Sequence, residues 1–465
     1  MLVSTGCVHA LGPGFHFNDR KSEIRISSTA PGSIHFSIAD QLQNTGNRTL
    51  HSLDVRLPAG PATGAQNLRL QIEGGQVSPE RDSPEDARMM LAPFAPEWKM
   101  SDTRKVVTEW DVVPGDARRA TMATSPQGFF VADASVFPQW QTPTGPFARG
   151  GTTADKELLT VYAPPDFRIL APGKPLKPGR DGAQNARRFV IHPGNDSAPY
   201  VIAGRYEVQS VASREGRVEF WMFHPVNPSQ AQAAADRLSS SMKTFADYFG
   251  GIPKHDPLLR IAESPVELPG EFGADSDPGG LSFPEGAMLD SSAIQQGLAA
   301  ESNLQLAEYE LARTWFGWRV RPRPEAQILM GRGLGLFGLV LAAEARGQDQ
   351  RRAMVVSLID RYDQARAVAP DKRLMEPPAG YSRAERVSTG YRGVLFIVAL
   401  EDQCGYENLR SALRYIVHDR AASDTGYEEL RSAAEMTSGK DLAEMFRQWL
   451  IQPGIPDDFR ARYQK

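Results

Sequence analysis

The run Leu306-Ala307-Glu308-Tyr309-Glu310-Leu311-Ala312-Arg313-Thr314-Trp315-Phe316-Gly317 decides how the rest of the chain is read. It contains no Pro and few β-branched residues. Ala307, Leu311 and Trp315 recur every four positions, which predicts a helix from Glu301 to Gly317 with one apolar stripe. Tyr309 and Arg313 are also four apart, so they lie one turn apart on a single helix face, with Glu310 beside them.

A pair at this spacing is how zinc peptidases hold their metal. Two His on one helix face bind the ion, and the Glu after the first acts as general base on the bound water. Here the Glu is kept as Glu310, while Tyr309 and Arg313 occupy the two His positions. The stretch resembles the zinc aminopeptidases typified by aminopeptidase N, a gluzincin family that reads His-Glu-Leu-Ala-His-x-Trp-Phe-Gly. The third ligand of that family is a Glu in an Asn-Glu-Gly motif after an eighteen-residue gap; the same gap after Arg313 lands on Arg332, inside Gly331-Arg332-Gly333. The resemblance keeps the register and replaces all three ligand positions.

Three further segments carry the likeness. Thr437-Ser-Gly-Lys-Asp-Leu-Ala-Glu-Met-Phe446-Arg-Gln-Trp449-Leu-Ile-Gln-Pro-Gly-Ile-Pro456 is similar to the segment that closes the family's catalytic domain. Gly273-Ala-Asp-Ser-Asp-Pro-Gly-Gly280-Leu281 stands where the family has the loop that binds the substrate amino terminus, but only its flanking Gly-Ala and Gly-Leu match. Asp275 and Asp277 are the acids there that could read a substrate amine; a Pro/Gly-rich turn with solvated acids is the simpler account. The family's transition-state Tyr lies in a Tyr-x-x-Gly motif. Gly390-Tyr391-Arg392-Gly393 puts Gly390 at that position and Tyr391 one residue late, so Tyr391 is a candidate hydrogen-bond donor to the site or a packing residue. The likeness covers roughly residues 210 to 460.

Composition bounds the alternatives. A chain of 465 residues, 41% hydrophobic and 23% charged, suits two or three globular domains. The net charge of -4 gives no basic field for nucleic acid. No apolar run reaches the ~20 residues of a membrane helix. Two cysteines, Cys7 and Cys404, build neither a disulfide framework nor a Cys-based zinc cluster, and Cys404 reads as a buried small hydrophobe. The start, Met-Leu-Val-Ser-Thr-Gly6-Cys7, resembles the end of a bacterial lipoprotein signal, which predicts a lipid anchor at Cys7 and an envelope or periplasmic location; a cytoplasmic location is the alternative.

Alternating runs such as Ile24-Arg-Ile-Ser, Ser33-Ile-His-Phe-Ser-Ile, Leu68-Arg-Leu-Gln-Ile and Val106-Val-Thr-Glu-Trp predict half-buried antiparallel strands in the first part of the chain. Past Arg214 the pattern turns helical: Gln230 to Phe249, Gly333 to Ala345, Gln350 to Arg366, Gly393 to Leu400, Tyr406 to Val417, Gly426 to Thr437 and Lys440 to Trp449. The expected architecture is α+β in two domains. Residues 1–19 form a terminal segment and residues 20–213 a β-rich domain. Residues 214–465 form a mostly helical domain. The resemblance implies a saddle-like first domain and a thermolysin-like second one.

Zinc needs three protein ligands from His, Cys, Asp or Glu, plus a water. Tyr309, Arg313 and Arg332 supply none of these, and none of the eight histidines lies in this helix pair. A guanidinium stays protonated. Against a divalent ion at about 4 Å and an effective dielectric of about 20, each Arg repels by about 8 kcal/mol. Two would offset most of the ~10–16 kcal/mol of a good zinc site. The sequence therefore predicts a site without zinc or other cofactor. Arg313 and Arg332 would stand in for the lost ion and pair with Glu310. The alternative is a set of solvated side chains, with a pair contributing only ~0.2–0.5 kcal/mol. The resulting expectation is a catalytically inactive aminopeptidase-like protein that binds a peptide or an anionic group, or acts as a scaffold. An active metallo-aminopeptidase with non-standard ligands, using Glu310 as its base, is the alternative.

Overall fold

A computed structural model describes residues 15–26, 33–45, 49–56, 65–73, 75–78, 80–81, 89–112, 122–131, 138–141, 156–176, 186–191, 200–251, 258–268, 270, 279–419 and 424–464. Cys7, Asp275 and Asp277 lie outside the described residues, and with them the lipid-anchor and amine-reading expectations. The chain falls into two compact units, Met1–Arg205 and Tyr206–Lys465. The strand Glu207–Ser213, placed in the first domain by the sequence reading, pairs with Gly216–Met222 and so belongs to the second unit.

The regular elements of the first unit, among its described residues, are all strands. Ile34–Asn44 shows why: every second side chain is buried, from Ile34 through Phe36, Ile38, Asp40 and Leu42 to Asn44. A strand with one buried face must dock that face on another layer. It sits inside an eight-stranded sheet, next to Phe15–Ile26 and Thr103–Val112. Two four-stranded sheets accompany it. The expected purely antiparallel layer is corrected at one place: Phe15–Ile26 pairs in parallel with Lys156–Tyr162. Those strands are far apart in sequence, so no tight hairpin constrains their direction.

Two apolar clusters fill this unit, one around Phe36 and Trp110 and one around Leu42 and Trp98. Three charged side chains lie on the same buried face. Arg20 forms a bidentate pair with Asp40, Nε to Oδ1 at 2.6 Å and Nη2 to Oδ2 at 2.8 Å. Glu157 is the register partner of Arg20 on its other side. It is buried, and neither of its carboxyl oxygens has a hydrogen-bond partner among the described residues.

The second unit combines a five-stranded mixed sheet with helices. The sheet order is Glu207–Ser213, Gly216–Met222, Leu258–Glu263, Gly286–Leu289, Gly280–Phe283. The helix Pro228–Phe249 opens on Asn227, whose side chain accepts from the Ser229 and Gln230 amides, and closes at Gly250 with φ 77°. Its Ala231, Ala234, Ala235, Leu238, Phe245 and Phe249 are buried. The helix Arg383–Cys404 begins ten residues before the predicted start at Gly393, because Ser382 and Glu385 form a reciprocal capping box.

The helix predicted from Glu301 to Gly317 ends at Ala312. Thr314–Arg319 follows as a wider turn, with Phe316 (φ −115°, ψ 69°) outside helical space. Two indoles hold that turn. Trp315 Nε1 donates to the Gly250 carbonyl at 2.6 Å, and Trp318 Nε1 donates to the Ser282 carbonyl at 3.0 Å. Pro324–Glu344 is the one segment among the described residues long and apolar enough to cross a membrane, and it is mostly buried in the unit's own core.

Candidate functional site

The helix Glu301–Ala312 is anchored from behind. Glu308, almost fully buried, accepts from Arg237 Nε at 2.9 Å and from Ser241 Oγ at 2.7 Å. Both donors sit on Pro228–Phe249. Glu310, two residues later, falls on the opposite face. Sequence reading did not single out Glu308, since a carboxylate on a helix is ordinarily solvated; only its partners identify it.

On the front face the structure brings Tyr309, Glu310, Arg313 and Arg332 together. Glu310 is fully buried, and Arg313 Nη1 donates to its Oε2 at 2.9 Å and its Oε1 at 3.2 Å. The Arg313 side chain is 29% exposed, so the pair has one buried and one half-buried member. The strand Gly280–Phe283 closes over the carboxylate: a Cβ on Gly280 would lie 2.8 Å from Glu310 Cγ.

Arg332 is the last but one residue of the turn Gln327–Gly333 that leads into the helix Leu334–Glu344. Its guanidinium carbon lies 5.9 Å from the centroid of the Tyr309 ring, and that of Arg313 lies 5.3 Å from the same centroid. Two cations thus lie near one aromatic ring, each contact contributing about 0.5–2 kcal/mol depending on its desolvation.

Glycines permit these approaches. A Cβ on Gly335 would meet Arg313 Cγ at 2.6 Å and the Tyr309 ring at 2.9 Å. A Cβ on Gly390 would fall inside the Arg332 Cδ and Nε. Gly333 meets Gly393 backbone to backbone, at 3.1 Å from its would-be Cβ to the Gly393 carbonyl carbon.

Tyr391 is fully buried within the hydrophobic cluster that also holds Tyr309. Trp315 and Phe316 are buried in the same cluster. Cys404 is buried and free, and burial pushes its thiol up. Next to Tyr391, Arg392 is fully buried and donates from Nη1 to Asp371 Oδ2 at 2.6 Å and from Nη2 to the Trp449 carbonyl at 2.5 Å. No sequence signal distinguished that Arg from a surface one.

A phenol and two guanidiniums do not make a zinc set. Among the described residues, no group of three His, Cys, Asp or Glu is placed to hold a metal ion. The site as built can hold a buried carboxylate by charge and can present cationic edges around a phenol ring.

No family model matches the chain. Among curated proteins it is similar to Probable aminopeptidase 2 of Sulfurisphaera tokodaii, 22% identical over 281 residues, which are 55% of this chain and 33% of that protein. The chain therefore matches about a third of the length of this curated relative. Among solved structures it is similar to the M1 zinc metallopeptidase from Deinococcus radiodurans, with a TM-score of 0.66 and 14% identity over 95% of both chains. A mutant of the Deinococcus radiodurans enzyme bound to a Tyr-Ser-Ala substrate gives a TM-score of 0.64 at 15% identity, again over 95% of both chains. A two-domain M1 zinc metallopeptidase mutant bound to L-arginine gives 0.65 at 14%, with 95% of both chains covered. At these identities the likeness establishes the fold: an α+β arrangement in two domains, that of the M1 zinc metallopeptidases.

Proposed function

We propose, starting from this shared fold, that the chain is a metal-free, catalytically inactive aminopeptidase-like protein that works as a binding or scaffold module. The observation that carries this reading is the Glu310–Arg313 pair. The carboxylate at the general-base position of the fold is buried and engaged by a guanidinium. A base in that state has no polarised water to deprotonate. Elemental analysis of the purified native protein tests the first half, with zinc below stoichiometry expected. An assay on amino-acid anilides at neutral pH with added zinc tests the second, with no hydrolysis expected. Stoichiometric zinc together with zinc-dependent turnover overturns the reading.

The ligand class follows from charge. Arg313 and Arg332 against Glu310 leave the grouped side chains net positive. Guanidiniums bind carboxylates with planar, paired hydrogen bonds. The ligand is then a peptide or another molecule with an anionic group at this site. Calorimetry with a peptide carrying a free carboxylate and with its amidated form tests it. Preference for the free carboxylate, lost in Arg332→Ala, is expected; equal binding by both forms or by the variant counts against it.

A further inference from the structure

Gly335 and Gly390 both lie inside helices, Leu334–Glu344 and Arg383–Cys404. Neither has a positive φ, so the backbone does not require glycine at either position. Glycine is among the poorest formers of a helix interior, where alanine is preferred. Something else keeps the side chain out. In both places it is the stem of an arginine at the site.

At Gly390 the nearest neighbours of a would-be Cβ are Cδ, Nε and Cγ of Arg332, with Cγ at 3.0 Å and the other two closer. At Gly335 they are Arg313 Cγ at 2.6 Å and two atoms of the Tyr309 ring, at 2.9 and 3.2 Å. The path of Arg332 is also set by its backbone. Gly333, the next residue, sits against Gly393, one helical turn from Gly390. With no side chain on either glycine, the two segments approach closely and deliver the Arg332 stem across Gly390.

We infer that Gly335 and Gly390 are positioning residues: each leaves the space that one arginine stem fills, and together they hold both guanidiniums at Tyr309. The substitutions at the metal position are then part of a five-residue unit, Tyr309, Arg313, Arg332, Gly335 and Gly390, in which each arginine has a glycine seat. Neither backbone angle nor helix propensity calls for glycine at these two positions, and the arginine stems fill the space a side chain would take. This inference deepens the proposed binding site, since it concerns how its cations are held, but its test needs neither a ligand nor a peptidase assay.

The test is a double-mutant cycle with a chemical readout. Gly390→Ala is expected to lower Tm in the native background and to raise it in the Arg332→Ala background, where the stem is gone and only helix propensity acts. The atoms that must move are those of a flexible side chain, so the variant should fold with Arg332 swung out. Phenylglyoxal labelling, read by mass spectrometry, should rise at Arg332 in Gly390→Ala and stay unchanged there in Gly335→Ala. The same change in Tm in both backgrounds, or unaltered labelling of Arg332 in Gly390→Ala, overturns the inference. So does failure of the Gly390→Ala, Arg332→Ala double variant to fold when Arg332→Ala alone folds. If peptide binding and zinc content contradict the proposed function while the cycle behaves as expected, the function is wrong and the seating of the arginines stands.

Discussion

Arg313 donates from a single nitrogen, Nη1, to both carboxylate oxygens of the fully buried Glu310, one helical turn away. In solvent such a pair would contribute a few tenths of a kcal/mol. Here removing the cation would leave a buried carboxylate without this partner, and breaking such pairs costs about 3–5 kcal/mol. Arg313 is partly exposed, so Arg313→Ala should cost about 3 kcal/mol, the lower end of that range. Glu310→Gln in the same background should recover part of the loss. Denaturant unfolding of the two variants and their double mutant checks this. No recovery on neutralising Glu310 would show that the pair is not the source.

Zinc binding should return with the ligands. The triple variant Tyr309→His, Arg313→His, Arg332→Glu replaces the phenol and both guanidiniums with metal donors and also lifts the Arg332 stem off Gly390. It should bind zinc stoichiometrically by elemental analysis, and the native chain is expected to bind less than one equivalent. The single variant Arg332→Glu should not, because one guanidinium and a phenol remain. A triple variant without zinc would mean that these three side chains do not share one site.

Glu157 predicts a pH dependence of stability in the first unit. Burial raises its carboxyl from 4.5 to about 7; Arg20 acts against that rise and Asp40 adds to it. These two are the charged groups that act on it, Arg20 from the strand beside its own and Asp40 from the next strand over, while the neighbour on the other side brings Ile191. Below the ordinary value both folded and unfolded chains are protonated, and the contribution is present in full. As pH rises towards 7 the unfolded chain ionises first, and about 3 kcal/mol of stability is lost. Glu157→Gln should remove that loss: its Tm should match the native chain near pH 4 and exceed it at pH 8. Parallel pH profiles for the two proteins would contradict the assignment.

Asp371 and Arg392 tie the closing segment of the chain to the helical unit. Asp371 accepts from Arg392 and from the Gly454 amide at 2.9 Å, and Arg392 reaches the Trp449 carbonyl. Asp371→Ala would strand a fully buried guanidinium, at a cost of about 3–5 kcal/mol. Unfolding by urea should show that loss, and limited proteolysis should cut first between residues 449 and 456. A variant as stable as the native chain would mean that the guanidinium finds another acceptor.

Much of this molecule was legible in its residues. Apolar spacing located the helices, and alternation located the strands, because burial of one face repeats with the period of each element. The register of Tyr309, Glu310, Arg313 and Arg332 against a zinc-peptidase pattern told which side chains meet, since helical spacing and a fixed gap carry that information. The boundaries were less secure. The kink at Phe316 depends on indole hydrogen bonds to Gly250 and Ser282, remote in sequence.

Tertiary structure alone decided the rest. Parallel pairing of Phe15–Ile26 with Lys156–Tyr162 set Glu157 beside Arg20, a contact that no local pattern encodes. The sequence reading did not single out Gly335, and it noted Gly390 only at the family's Tyr position; the arginine stems across them appear in the structure alone. Periodicity records which face of an element is buried; it does not record what the face is buried against. The partner of a buried charge and the occupant of the space beside a glycine are long-range facts, fixed only when the elements pack.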